Sequence, residues 1–113
     1  MRSEKVERTS TQMRRGVLEL CILSLISEQE MYPSDILARL ETAKLIVVEG
    51  TLYPLLTRLK NEGLLAYSWQ ESNQGPPRKY YQLTDEGREF LADLTDSWAE
   101  LVQSVDKVTK NSH

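Results

Sequence analysis

Residues 49–84 place a predicted helix directly before a predicted β-hairpin, and this order constrains the fold more than any other feature of the chain. The helix carries leucines at helical spacing, and the hairpin alternates apolar and polar residues on either side of a turn-forming cluster. A two-stranded hairpin alone is only marginally stable in water. The hairpin must therefore pack against helices of the same chain.

The predicted helix begins near Glu49 or Gly50 and ends at Gly63. Pro54 is expected within about the first turn, where its missing N–H costs least. Gly63 is expected to end the helix as a left-handed cap, with Leu64 making the closing apolar contact. The buried stripe follows the i, i+3, i+4, i+7 spacing of an amphipathic helix and consists of Leu52, Leu55, Leu56 and Leu59.

The predicted hairpin follows without a linker. Residues 65–70 and 78–83 alternate with the two-residue period of half-buried strands, and residues 72–77 (SNQGPP) are typical of a turn. Arg78 and Lys79 lie where the return strand leaves the tip. The apolar positions of the first strand are Leu65, Tyr67 and Trp69.

A helix delivered beside a positively charged hairpin is suited to binding a DNA duplex, because the helix can fill the major groove while the hairpin reaches the neighbouring backbone. Arg58 is the expected base-reading side chain, since its guanidinium matches the acceptor pair of guanine. For any single residue of this set, ordinary solvated surface is the alternative, and only the combination favours DNA. The predicted DNA-binding residues are Thr51, Tyr53, Thr57, Arg58, Lys60, Arg78 and Lys79.

Three segments in order, RGVLELCILSLI (15–26), GTLYPLLTRLKNEGLL (50–65) and PPRKYYQLTDEG (76–87), resemble the PadR family of bacterial transcriptional regulators. The resemblance covers nearly the whole chain and is strongest to the subgroup with a single C-terminal helix. It implies a winged helix-turn-helix, a homodimer and a repressor that binds a dyad operator. Tyr32-Pro33 departs from the Gly–Tyr pair that the family often has at the start of its second helix, which predicts a changed helix entry within the same fold.

Two further helices are predicted upstream. Residues 13–27 are apolar on more than one face, so one face is expected to pack against a partner subunit. The second helix is predicted at Pro33–Thr42, with the proline at the first helical position. Residues 43–48 form a short apolar segment, for which a strand and an extended loop are both open alternatives.

A final helix is predicted from Asp85 to Val108, with Thr84 as its N-cap. Its apolar residues recur at spacings of three and four, the a/d pattern of helices that pair like a coiled coil. At 1.5 Å per residue such a helix is about 36 Å long, too long for so small a domain to cover. The predicted dimer interface consists of Leu18, Ile22, Leu91, Leu94, Trp98, Leu101 and Val105.

Trp98 supports two interpretations. As a large aromatic residue it can simply fill the dimer seam. Near a two-fold axis it would meet its own copy, and two indoles could flank a gap for a flat ligand, as the resemblance implies for some relatives. Asp96 and Glu100 are expected to favour a cationic compound there, so Trp98, Asp96 and Glu100 form the predicted effector pocket.

The net charge of −3 is unevenly distributed over the 113 residues. Residues 1–84 hold 11 Lys and Arg against 10 Asp and Glu (+1), and residues 85–113 hold 3 against 7 (−4). The acidic excess therefore lies in the last helix, which need not face DNA. The segment that would contact DNA is only mildly basic, so weak non-specific binding is expected.

Enzymatic and metal chemistry have no candidate motif. Cys21 is the single cysteine and His113 the single histidine, so no ligand set for a structural metal exists, and no phosphate loop or catalytic triad is present. No cofactor is expected. Without an apolar run of about 18 residues or a signal-peptide block, the expected compartment is the cytoplasm.

These features predict a mainly α structure with a small β-hairpin (α+β). Residues 1–84 would form a winged helix-turn-helix domain, with residues 1–12 flexible or fraying, and residues 85–113 a dimerisation helix of the same compact unit. The expected function is a sequence-specific DNA-binding transcriptional regulator. Its expected partners are double-stranded DNA, a second copy of the chain and a small-molecule effector. A winged-helix module that binds protein and a small-molecule sensor without a direct operator role are the alternatives.

Overall fold

The computed structural model describes residues 3–72 and 75–110. Part of the predicted turn (residues 73 and 74) and His113 lie outside the described residues. The elements in chain order are α1 (Glu4–Glu28), α2 (Pro33–Thr42), α3 (Glu49–Asn61), β1 (Leu65–Gln70), β2 (Arg78–Leu83) and α4 (Asp85–Lys110). The mainly helical fold with one antiparallel hairpin confirms the predicted fold class.

Helix α1 is longer than predicted. It begins at Glu4 instead of Met13, and Ser3 caps it by accepting a hydrogen bond from the Val6 N–H at 3.3 Å. Acidic Glu4 and Glu7 lie in the first turn, where they suit the helix dipole. The predicted start was wrong because residues 4–12 are exposed and lack an apolar stripe, while their helicity is set by local capping.

Helices α2 and α3 have the predicted bounds and end in the same way. Gly63 follows α3 with φ +82°, and the Leu64 N–H donates to the Leu59 carbonyl at 3.0 Å, which closes a Schellman motif. After α2, Lys44 takes the same left-handed position at φ 64°, although it carries a side chain. The leucine after it again donates back to the helix, to Leu40 at 2.8 Å.

Two details concern the segment between α2 and α3 and the proline within α3. Residues 45–48 have no strand pairing, so the open alternatives for residues 43–48 resolve to a turn and an extended loop. Pro54 lies beyond the first turn of α3, inside the helix. It therefore leaves the carbonyl of Gly50 without its usual helical donor.

The hairpin has a regular antiparallel register from Leu65 opposite Leu83 to Gln70 opposite Arg78. Met31, just before α2, adds a short third segment: its N–H donates to the Tyr81 carbonyl at 3.0 Å and its carbonyl accepts from the Tyr81 N–H at 2.7 Å. This bridge ties the hairpin to the helices, which supplies the support that two strands need. We call β1 and β2 together the wing.

The wing is buried only near its base. Leu65, Tyr81 and Leu83 belong to the core, whereas Tyr67 is more than one-third exposed and Trp69 is 61% exposed. The prediction of a half-buried face along the whole of β1 is therefore wrong beyond its first residue. The outer part of the wing projects past the helices that would cover it.

One apolar core joins α1, α2, α3 and the wing. Its most deeply buried side chains come from α1, α2, α3 and the segment just before α2, and are Ile22, Leu23, Met31, Ile36, Leu40, Leu52, Leu56 and Leu59. Leu18 and Ile22 were predicted at the dimer interface, but both are buried within the chain itself, Ile22 at 0% exposure. Their burial within the chain leaves them almost no surface to offer a partner.

Helix α4 starts at a capped junction with the end of α3. The Thr84 hydroxyl accepts a hydrogen bond from the Gly87 N–H at 2.9 Å, which confirms the predicted N-cap. Further along, the seam residues Trp98, Leu101, Val105 and Val108 are 42–71% exposed. No described helix combines the length and the apolar character that crossing a bilayer requires.

Candidate nucleic-acid interface

A cleft of about 490 Å³ separates the start of α2, the exposed side of α3 and the wing. It brings together two of the predicted helix residues, Tyr53 and Thr57, and the two predicted wing residues, Arg78 and Lys79. All of its described lining residues are neutral or basic: Tyr32, Pro33, Ser34, Tyr53, Thr57, Arg78, Lys79 and Tyr81. A cleft lined by hydroxyl groups and two cations, with no acidic side chain, is suited to contact the phosphates of a nucleic-acid backbone.

Helix α3 divides the other predicted residues between two flanks. Successive residues turn by about 100° around a helix, so Thr57 lies near the centre of the exposed face, opposite the buried leucines. Lys60 lies on the flank towards the wing, with its ammonium 5.7 Å from the centre of the Tyr67 ring. Thr51 and Arg58 lie on the opposite flank, towards α1. The predicted set is thus not one continuous surface.

Arg58 already has two partners in the chain. Its guanidinium donates to Glu19 of α1 at 3.0 Å and to both oxygens of Glu62 at 3.1 Å. The hydrogen bond to Glu19 is the main cause that raises the pKa of Arg58 above its ordinary value. Reading a guanine edge would require Arg58 to exchange these carboxylates, so the structure does not present it as a free base-reading side chain.

The wing cations are held against aromatic rings. The Lys79 ammonium lies 4.4 Å from the centre of the Tyr67 ring and 5.3 Å from that of Trp69. The Arg78 guanidinium lies 4.7 Å from the centre of the Tyr32 ring. Cation–π contacts of this kind attract the charge to the ring face and limit the positions that a long side chain samples. Both cations keep their charge available, since no described carboxylate is paired with either of them.

The deciding observation for the family is the match of residues 22–93 to the PadR-like transcriptional regulator family. The chain belongs to this family. Its members are transcription regulators and not enzymes.

Solved PadR-like structures share the fold. A PadR-like transcription factor from Bacteroides fragilis is 56% identical, with a TM-score of 0.75 over 89% of this chain and 98% of that chain. A family member from Eggerthella lenta is 33% identical, with a TM-score of 0.88 over 94% and 93% of the two chains. Bacillus subtilis PadR, solved in complex with operator DNA, is 27% identical, with a TM-score of 0.64 over 70% of this chain and 46% of that chain.

A second concave region of this PadR-like chain lies between α1 and α4. It comprises a groove of about 480 Å³ and a smaller cavity of about 130 Å³, which share Gly16, Val17, Trp98 and Leu101 as lining residues. We call the two together the α1/α4 groove. The lining is otherwise formed by Met13, Arg14, Glu19, Leu20, Leu94, Ser97, Val102, Val105 and Asp106.

Of the three residues predicted for an effector pocket, the α1/α4 groove contains Trp98 but neither Asp96 nor Glu100. Asp96 and Glu100 lie two residues before and after Trp98, and helix positions separated by two face different sides. Both are exposed on the far side of α4. The acids that do line the groove are Glu19 and Asp106.

Sequence reasoning missed several residues of these two regions. Tyr32 and Ser34 join the cleft because the Met31 bridge brings the start of α2 beside β2. Their signal was the Tyr32-Pro33 departure, which was interpreted only as a changed helix entry. Glu19 was missed because its partner Arg58 is 39 positions away, and no local pattern announces such a pair.

A metal site has no support in the described part of the chain, where no group of three or more His, Cys, Asp or Glu side chains could hold an ion.

Proposed function

We propose that this chain is a repressor that binds a dyad operator as a homodimer and is released by a small hydrophobic or planar effector. The observation that carries the DNA-binding proposal is the acid-free cleft, in which Tyr53 and Thr57 of α3 face Arg78 and Lys79 of the wing. The operator complex of Bacillus subtilis PadR supports it by similarity.

In the proposed complex α3 enters the major groove with Thr57 and Asn61 foremost. Both are exposed on the side of α3 away from the core. An adjacent phosphate then occupies the cleft, within reach of Arg78, Lys79 and the Ser34 hydroxyl. Contacts of this kind fix the register on the duplex, and hydroxyl or amide contacts to base edges add sequence preference.

Flanking residues have secondary roles. Lys60 and Tyr53 lie on the wing side of α3 and contact the same DNA strand as the wing. Thr51 and Arg58 lie on the α1 side, so they reach the duplex only at the edge of the groove. Arg58 contributes there when it leaves Glu19.

The dimer is proposed from the apolar face of α4. Trp98, Leu101 and Val105 are each about half exposed, and Met13 on α1 continues the same surface at 68% exposure. Burying apolar area of this kind gives about 25 cal/mol per Å² before association costs, which favours a second copy as cover. Two-fold symmetry then sets two α3 helices about one DNA turn apart.

The effector is proposed to enter the α1/α4 groove beside Trp98. Because α4 leads directly from the wing into the seam, a compound wedged between α1 and α4 tilts one winged domain against the other. A changed distance between the two α3 helices weakens binding to half-sites of fixed spacing. Action on DNA places the protein in the cytoplasm.

Fluorescence anisotropy with DNA from upstream of the chain's own gene tests the proposal. We expect a salt-dependent complex of two chains per duplex, and weaker binding by a Thr57→Ala, Arg78→Ala variant with an unchanged fold. A reporter behind the same promoter should be more active in cells that lack the protein. No rise in anisotropy with any promoter fragment at low salt would contradict the proposal and favour a protein-binding role.

A further inference from the structure

We infer that Glu19 forms the anionic end of a subsite for an organic ammonium ion, and that the bound ammonium replaces Arg58 at this carboxylate. The inference deepens the proposed effector site by naming the ligand class and the side chain that responds. Only its consequence for operator binding rests on the proposed function.

The position of Glu19 is the first observation. Its side chain, 26% exposed, lines the small cavity of the α1/α4 groove together with Gly16 and Trp98. Beyond its chain neighbours and the backbone of its own helix, a Cβ on Gly16 would meet no heavy atom within 4 Å, so the cavity is open at this position. A ligand in this cavity can therefore reach both groups.

The chemistry of the lining selects the ligand class. Apart from Glu19 and Ser97, the small cavity is lined by apolar side chains, by Gly16 and by the indole. A carboxylate pairs with a cation, and an indole face attracts one as well. In the adjoining larger groove Arg14 and Asp106 carry opposite charges, so Glu19 supplies the net charge of the region.

The size of the region fits an ammonium group joined to an apolar body. The small cavity of about 130 Å³ has room for the ammonium and the first carbons, and the larger groove of about 480 Å³ has room for a ring. A permanently neutral compound of the same shape gains the apolar contacts and leaves Glu19 with Arg58. A single-ring arylalkyl amine is therefore the smallest probe that engages both parts.

Arg58 is the second observation. It shares Glu19 with the cavity, at 3.0 Å, and also holds Glu62 on its own helix. An ammonium at Glu19 competes with this bond, and Glu62 retains the guanidinium when the bond opens. Binding of the ammonium and release of Arg58 from Glu19 are thermodynamically linked. Removing Arg58 must therefore strengthen ammonium binding by the factor by which the Arg58–Glu19 bond weakens it in the wild-type chain.

The exchange connects the α1/α4 groove to α3 without any movement of the core. Among the described residues, the ion pair between Glu19 and Arg58 joins a charged side chain of α1 to one of α3. Release of Arg58 places an additional mobile cation at the α1-facing edge of α3. An effector of this class changes the DNA-facing charge of α3 in addition to tilting the domains.

Titration of the full chain with 2-phenylethylammonium, followed by Trp98 fluorescence, tests the inference. A Trp69→Phe background leaves Trp98 as the single indole, since the chain has two tryptophans. The neutral comparator is 2-phenylethanol, which has the same body with a hydroxyl in place of the ammonium. The titration contains no DNA, so its result is independent of whether the chain binds an operator.

We expect Glu19→Gln to weaken ammonium binding about fivefold or more, and to leave 2-phenylethanol within about twofold, as loss of a partly exposed charged hydrogen bond implies. Arg58→Met should strengthen ammonium binding about two- to fivefold, because the competing bond is a partly exposed ion pair. Glu62→Gln is the matched control. It also removes a carboxylate partner of Arg58, but Glu62 does not line the α1/α4 groove, so binding of neither compound should tighten.

Equal ammonium affinity in wild type and Glu19→Gln overturns the subsite. Unchanged ammonium affinity in Arg58→Met, with Glu19→Gln weakened, overturns the exchange. Circular dichroism checks that each variant is folded. If Arg58→Met is not folded, Arg58→Gln replaces it, since a neutral amide cannot form the ion pair with Glu19, and the same tightening is required.

Discussion

The hydroxyl of Thr84 donates a hydrogen bond to the carbonyl of Gly63 at 2.6 Å, and so connects the end of α3 to the start of α4. The same hydroxyl accepts from the Gly87 N–H at 2.9 Å, and the Thr84 N–H donates to the Leu64 carbonyl at 3.2 Å. One residue therefore serves both the C-terminal end of α3 and the N-cap of α4, the proposed dimerisation helix. The angle between α3 and α4 depends on this junction.

Thr84→Val should lower the free energy of unfolding by about 1–2 kcal/mol, because the valine keeps the shape but leaves the Gly87 N–H and the Gly63 carbonyl without their partner. Urea denaturation measures the change. Thr95→Val is the control, since the Thr95 hydroxyl bonds only to the Leu91 carbonyl of its own helix at an exposed position. Equal stability of the two variants would show that the junction contributes nothing.

Gly87→Ala should destabilise the chain, whereas Gly16→Ala should not. A Cβ on Gly87 would press against the Leu64 carbonyl oxygen, a backbone atom that cannot move aside without opening the junction. A Cβ on Gly16 meets open space in the middle of α1, where alanine is favoured over glycine by about 1 kcal/mol. Thermal melts should therefore give a lower midpoint for Gly87→Ala and a higher or equal one for Gly16→Ala. Comparable midpoints for the pair would contradict the close approach of α4 to Leu64.

Lys79→Ala should weaken binding to every DNA sequence and reduce the slope of log affinity against log salt by about one unit. The physical reason is the loss of one phosphate contact and of the counterions that it releases. Arg39→Ala is the matched control, because Arg39 is a surface cation paired with Glu28 and does not line the cleft. If both variants keep the wild-type slope, Lys79 does not touch phosphate.

The unfolding free energy should fall as the pH rises above about 8.5, the ordinary thiol pKa. Burial raises the pKa of the Cys21 thiol, and burial followed by the nearby phenols of Tyr67 and Tyr53 raises that of Tyr81. A raised folded-state pKa favours the neutral form, so the stabilisation is fully present below the unfolded-state pKa and is lost as the pH rises through the folded-state value. Urea denaturation across this range measures the slope.

The double variant Cys21→Val, Tyr81→Phe separates these two groups from the rest of the chain. Its unfolding free energy should vary less over the same alkaline range, because neither replacement titrates. An identical pH slope in the variant and the wild type would assign the alkaline loss to other groups.

Local chemistry made much of the fold predictable. Pro33 marked the start of α2, because its fixed φ suits the first helical position. Gly63 marked the end of α3, because glycine adopts a positive φ without steric cost. Thr84 marked a cap through its hydroxyl. These signals lie within a few residues of their effects. The start of α1 was also a local signal, Ser3 followed by acidic residues, but without apolar periodicity it was not used.

Pairings between distant segments were not predictable from a single sequence. Met31 meets Tyr81, and Glu19 meets Arg58, only because the core brings α1, α2 and the wing together. Leu18 and Ile22 show a related limit: periodicity says that a face is buried, but not whether the same chain or a partner buries it. The misplacement of Asp96 and Glu100 was avoidable, because helical spacing alone puts them away from Trp98.

Sedimentation equilibrium at micromolar concentration tests the central claim, that two copies pair through the exposed apolar face of α4. The account predicts a species of twice the 13.0 kDa chain mass, which Leu101→Lys dissociates and Glu100→Lys, on the far side of α4, leaves intact. A stable 13.0 kDa species for the wild-type chain under these conditions would contradict it.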